Sequence, residues 1–385
     1  MGTCCGKESY SEHGIETALG GDLNNLLIST GDQDYIKERQ VRMKNMRLNL
    51  KAQLEAQADK LGKKMRMQQF LSLIPEEIKE SFFNPFEKEV SNEQLEELVQ
   101  NDPIELPNGD VYYGYWNKDL EKEGPGQLIQ TNKKTYIYGL FQAGKLYKGK
   151  IISPLGEYIG EIENFIPNGK GKFIPKNGNI YEGEFVKGIK EGNGTLLFPD
   201  GSKYWGTFTN DVINGEGEFI WNNGYYYKGE IQNGMINGNG VLKGPNGSKY
   251  TGTFKNGIFH GKGKFIWGDS NINTKDENSF LETYMGEYNN GKKEGKGTYQ
   301  LMNGDFFSGT FFADKQHGRG ELETNDTIYR ALWKNGQIAE QPQIEKKELV
   351  DDYIPTGEHN LNFQVRKEDL DIKNCNYLNF ELLGK

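Results

Sequence analysis

YEGEFVKGIKEGNGTLLFPDG, residues 181–201, decides the fold. In its first half Tyr181, Gly183 and Phe185 alternate with Glu182 and Glu184. Period-2 geometry puts the rings and the glycine on one face and the carboxylates on the other. The second half, GNGTLLF, sets Gly192, Gly194 and Leu196 on one face in the same way. A short loop, VKGIKE, separates the halves, and the turn PDG follows. Two short strands with turn residues between them read as a β-hairpin. A glycine leaves a hole in the sheet surface, and a ring from its own or a neighbouring hairpin can lie over it.

The pattern recurs on both sides. YIGEI from Tyr158, YWGTF from Tyr204, YKGEI from Tyr227 and YTGTF from Tyr250 join YEGEF from Tyr181 in a series of constant interval. YMGEY from Tyr284 comes later than that interval allows, so the preceding unit holds an insertion, placed at 268–282. FSGTF from Phe307 and a terminal YRALW from Tyr329, with Ala331 in place of the glycine, complete the run. Upstream, YYGYW from Tyr112 fits well and IYGLF from Ile137 poorly. A fixed period over this length marks a repeat architecture, in which hairpins too small to be stable alone share one apolar stripe.

Y-x-G-x-F followed by G-x-G resembles the MORN repeat (membrane occupation and recognition nexus), about nine times over residues 106–338. The resemblance implies a mainly β fold: an elongated, twisted, single-layer antiparallel sheet of hairpins, with a groove along one face. It implies protein binding through that groove, lined by the inward rings Tyr158, Tyr181, Tyr204, Tyr227, Tyr250 and Tyr284, with an amphipathic helix as the natural ligand. Homo-oligomers, and roles at the cell cortex, cilia or membrane junctions, belong to the same expectation. The family's His-Gly-x-Gly step stands at His260 and His317, and its histidine is replaced by Asn168, Glu191, Asn214, Asn237 and Glu294 elsewhere. A position that accepts His, Asn and Glu reads as a polar turn residue, not as a metal ligand or a base.

Composition narrows the function. Fifty glycines and 12% aromatics place the apolar material in rings on a glycine-rich backbone. A net charge of -9 disfavours nucleic acid as a partner. The chain shows no apolar run long enough to span a bilayer and no secretory h-region. Of its three cysteines Cys4 and Cys5 are adjacent, so a reducing interior fits. Glycine strings such as 234–240 lack the Gly-Lys-Ser/Thr ending of a phosphate loop. The insertion offers D-x-N-x-N from Asp269, but Thr274 and Phe280 stand where a calcium loop needs glycine and glutamate. The four histidines partner no serine or cysteine nucleophile, so neither an enzyme nor a cofactor is expected.

The N-terminus, MGTCCGK, places Gly2 for myristate and Cys4 and Cys5 for palmitate, and resembles that of dually acylated proteins, with Gly6 where the pattern has Ser or Thr. Two lipids would make a stable anchor on an inner membrane leaflet, where one would not. After a flexible 1–32 comes a basic amphipathic helix over 33–74. Met43, Met46, Leu50, Leu54, Ala58, Leu61 and Met65 share one face, with ten Lys/Arg between Lys37 and Arg66 against three carboxylates. Cis packing or helix pairing ranks above membrane contact, since that face lacks Trp and Phe. Short capping helices are expected over 75–105, the second with Ser91 as N-cap and Gln94 at N3. An acidic tail, 339–385, keeps enough apolar residues to dock.

The resulting expectation is a non-enzymatic, membrane-tethered scaffold, cytoplasmic and peripheral to the plasma membrane, cortex or cilium. One alternative is a phosphoinositide-binding or lipid-kinase-associated regulatory protein, against which the lack of a basic stripe counts. Another is a ciliary or cytoskeletal structural protein without membrane contact.

Overall fold

The computed structural model describes residues 30–82, 90–268 and 282–347. Among them, antiparallel strands follow one another in chain order from Val111–Trp116 to Thr327–Lys334, each paired to its sequence neighbours. They form nine hairpins and one closing strand, the mainly β, single-sheet repeat architecture expected.

The hairpin of the opening stretch shows how each is built. Ile180–Val186 and Ile189–Leu197 meet with Tyr181 opposite Leu196 and Gly183 opposite Gly194. The strands run straight through VKGIKE, so only Lys187 and Gly188 turn, both at positive φ. That is the two-residue geometry whose twist matches the sheet, and the loop is shorter than the sequence suggests. Beyond Gly183 the register slips. Glu184 alone faces Glu191, Gly192 and Asn193, and Phe185 pairs with Lys190. The same slip recurs after Gly206, Gly229, Gly252, Gly286 and Gly309.

Across hairpins the glycines align. Gly194 opposes Gly206, Gly217 opposes Gly229, Gly240 opposes Gly252, and the row runs from Gly114 to Gly320 before ending at Ala331. Each tyrosine lies flat over its own hairpin's glycine pair. A Cβ built on Gly183 would meet the Tyr181 hydroxyl at 2.5 Å and the facing Gly194 Cα at 2.6 Å. Neighbouring rings stand edge-on above it, as Phe185 and Phe208 do at 5.0 and 4.9 Å from Tyr181. One cluster of buried residues therefore extends from Leu50 to Trp333 along the inward face. The insertion does not disturb it, because Lys262 to Ile266 pair normally with Thr283 to Glu287. In the poorly matching hairpin, Ile137 replaces the tyrosine and the Leu146 side chain reaches the space above Gly139.

The two ends are covered differently. Helix α1, Thr30–Ala56, ends well short of residue 74. A short helix, α2 (Ala58–Leu61), follows; then Gly62 at φ +137° turns the chain and Lys63–Lys64 pairs with Ile104–Glu105. Leu50 and Leu54 of α1 are buried against the first hairpins, with Met43 and Met46 half-buried on the same side. Helices α3 (Met67–Ser72) and α4 (Glu76–Phe82) follow, and Phe70 and Ile74 close the outward face over Val111, Ile129, Tyr138, Leu140 and Ile152. Helix α5, Asn92–Glu96, carries the expected capping box of Ser91 and Gln94, and Arg47 donates to the Leu95 and Glu96 carbonyls at its other end. At the far end, Gln343–Lys346 pairs with Thr327–Arg330.

Candidate protein-docking surface

The six tyrosines expected to line a groove are interior. Tyr158 is 4% exposed and Tyr181, Tyr204, Tyr227, Tyr250 and Tyr284 are 0%. Period-2 alternation put them on one face correctly, but that face is filled by its own rings, so no partner reaches them in this fold. Their hydroxyls have a backbone task. Tyr181 donates to the Glu184 carbonyl at 3.0 Å, and Tyr158, Tyr204, Tyr227, Tyr250 and Tyr284 donate in the same way three residues on. That carbonyl belongs to the residue at the register slip, which has no partner on the second strand of its own hairpin. Burial pushes the Tyr181 hydroxyl up to about 12 and raises the other five as well.

The His/Asn/Glu position is a clamp between hairpins. Asn168, Asn214 and Asn237 each accept the N–H of the next hairpin's first turn residue at 2.9–3.0 Å, and Glu191 accepts that of Asn210 at 2.9 Å. The second turn residue donates to the preceding hairpin's backbone, as Gly234 does to Ile213 at 2.9 Å. His260 occupies the clamp position with a buried Nδ1 that makes no hydrogen bond. Among the described residues no three His, Cys, Asp or Glu gather to hold a metal ion.

With the inward face full, what the sheet offers is its outward face and its edge of turns. The first residue after each two-residue turn points outward there. In five successive hairpins it is Ile166, Ile189, Val212, Met235 and Ile258, and four of these are 39–46% exposed. Ile166 and Ile258 also lean on the next turn, near Gly188 and Gly291. At the same position Lys145 precedes the stripe and Lys292 and Lys315 follow it, all exposed. From sequence alone VKGIKE reads as loop, which hides the stripe although Ile166, Ile189, Val212, Met235 and Ile258 are equally spaced.

A concavity of about 660 Å³ lies between α1 and the N-terminal edge, where Tyr35, Met43, Leu98 and Tyr115 share the walls with Arg39 and Lys44. Among the described residues no helix is long and apolar enough to cross a membrane. Gly2, Cys4 and Cys5, the Asp269 loop and most of the C-terminal tail lie outside the described residues.

No curated protein matches the chain. Among solved structures it is similar to the SAS-4 (dCPAP) TCP domain of Drosophila melanogaster, solved in complex with a proline-rich motif of Ana2 (dSTIL). That likeness is 16% identity over 40% of this chain and 85% of the other, with a TM-score of 0.26. It is also similar to the wild-type TCP10 domain of Danio rerio CPAP, at 9% identity over 64% of this chain and 99% of the other, with a TM-score of 0.20. Scores this low carry no argument about fold or partner. The MORN repeat model matches residues 181–203, 204–224, 227–249, 250–272, 284–306 and 307–326, so the hairpins from Tyr181 onward are six MORN repeats.

Proposed function

We propose that the chain is a non-enzymatic scaffold that binds an amphipathic helix of a partner protein along its edge of turns. The observation that carries this reading is the aliphatic stripe Ile166, Ile189, Val212, Met235 and Ile258. Successive hairpins are two strand spacings apart, about 9.6 Å, and one heptad of α-helix rises about 10.5 Å. A helix laid along this edge therefore meets one aliphatic side chain per heptad. Lys145 at one end and Lys292 and Lys315 at the other favour a ligand with acidic ends. The buried rings contribute by holding the edge rigid, not by contact.

The tether belongs to the same proposal. Gly2, Cys4 and Cys5 would carry acyl chains and hold the scaffold on a cytoplasmic membrane face.

Proximity labelling from a C-terminally tagged chain tests both parts. An Ile189→Asp, Val212→Asp variant, which touches only exposed positions, is expected to lose the labelled protein partner and keep its membrane location. A Gly2→Ala, Cys4→Ser, Cys5→Ser variant is expected to become cytosolic. An unchanged set of labelled neighbours in the first variant overturns the stripe, and an unchanged location in the second overturns the anchor.

A further inference from the structure

The outward face is covered at one end of the sheet and open at the other. Phe70 and Ile74 close it over the first hairpins, and over the last three no described residue does so. There its chemistry changes. The middle residue of the G-x-G step is Asn193, Glu216 and Asn239 in three successive hairpins, then Lys262, Lys296 and Arg319. Register places these cations one hairpin apart, with Lys262 opposite Glu287, Lys296 opposite Thr310 and Arg319 opposite Leu332. Lys264 stands beside them, opposite Met285.

All four are exposed, and among the described residues none makes an ion pair. Arg330 nearby, in contrast, is paired with Glu321 and Glu345. Of the carboxylates on this face, Glu321 is held by Arg330 and Glu323 by Lys347, and Glu287 is turned over the bulge glycine Gly295. Between the cations Met285 is 56% exposed, and Leu332 is exposed as well. A row of unpaired cations with apolar side chains among them suits an acidic chain that also carries apolar residues.

We propose that the outward face of the last three hairpins is the docking site of this chain's own C-terminal segment, residues 348–385. That segment has eight Asp/Glu against four Lys/Arg, interspersed with Phe363, Val365, Leu370, Ile372 and Phe380. Its starting point is fixed beside the patch. Lys347 donates its N–H to the Asp326 carbonyl at 2.9 Å and its ammonium to the Thr324 carbonyl at 2.6 Å. From the closing strand to that of Lys262 is five strand spacings, about 24 Å. The chain beyond Lys347, extended, spans that distance several times over. The segment would do for the far end what Phe70 and Ile74 do for the near one. Helix α1 does not fit the patch, because its own excess is of Lys and Arg. The inference is independent of the aliphatic stripe and of the anchor.

Zero-length carbodiimide crosslinking of the purified full chain tests it, using an equal mixture of unlabelled and nitrogen-15-labelled protein. The expected links join Lys262, Lys264 or Lys296 to Asp or Glu between 348 and 385, within isotopically unmixed molecules. In a Lys296→Glu, Arg319→Glu variant, the links from Lys262 and Lys264 fall several-fold while the far-ultraviolet spectrum stays unchanged. Three results overturn the proposal: no links to the segment, links made equally well by Lys170, Lys172 and Lys228, or isotopically mixed links. The last would make the occupant the segment of a second copy.

Discussion

Gly183 shows what a single residue contributes to this sheet. Three things meet at its missing side chain: the Tyr181 hydroxyl at 2.5 Å, the Asn193 carbonyl at 2.6 Å and the Gly194 Cα at 2.6 Å from where a Cβ would stand. Two of the three are backbone, which cannot swing aside. Gly183→Ala must therefore part the strands or eject the ring, at a cost of about 3 kcal/mol or more. Gly201, in the turn before Ser202, has nothing within 4 Å and only a φ of +89° against it. Its change to Ala should cost about 1 kcal/mol. Urea midpoints of the two variants check the ranking, and equal midpoints would mean that the glycine row is not where the packing is tight. The complementary prediction concerns Phe307, which lies over Gly309 and Gly320 as the tyrosines lie over theirs, but has no hydroxyl for the carbonyl of Thr310. Phe307→Tyr is expected to stabilise by about 1 kcal/mol, one net hydrogen bond. A midpoint unchanged or lowered would show that this carbonyl is already satisfied.

At the scale of one hairpin, stability is shared between neighbours. Within its own hairpin the Asn237 side-chain amide makes only a long bond to the Met235 carbonyl, at 3.4 Å, but its oxygen holds the Asn256 N–H of the next turn at 2.9 Å. Asn237→Ala should cost about 1 kcal/mol and free the next turn more than its own. Hydrogen exchange at Asn256, faster in the variant while that at Asn233 is unchanged, is the expected signature. The hairpin itself was legible in the sequence, because strand periodicity and the constant interval between repeats both survive into the structure. What the sequence hid has physical reasons. Alternation tells which side chains share a face but not whether that face fills itself, so Tyr204 and its counterparts read as a groove although they are core. The bulge was invisible, because one residue facing three leaves no mark on the period of either strand. By spacing alone Ala58, Leu61 and Met65 keep the helix period, so the sequence carries the helix on towards residue 74. Gly62 and the pairing of Lys63 with Glu105 stop it.

Over the whole molecule, one interaction is repeated so often that it should set the response to alkali. Seven tyrosines, at 112, 158, 181, 204, 227, 250 and 284, are held neutral by burial, with Tyr181 pushed up to about 12. In the unfolded chain each ionises near pH 10. Below that value both states keep the protons, and the tyrosines add no pH dependence. Above it the unfolded chain releases protons that the folded one retains, so stability falls as pH rises from about 10 towards 12. Because the seven rings belong to one continuous inward cluster, their losses add within the same interval. Urea unfolding from about pH 8 to pH 11 should give a flat midpoint at first and a steep decline above about pH 10. Phenolate absorbance of the interior rings should appear with unfolding, not before it. A triple variant, Tyr204→Phe, Tyr227→Phe, Tyr250→Phe, should start less stable, having lost three carbonyl partners, yet decline less steeply with pH. If all the tyrosines instead titrate smoothly near pH 10 while the sheet stays folded, water reaches the inward face, and the rings would again be available to a partner.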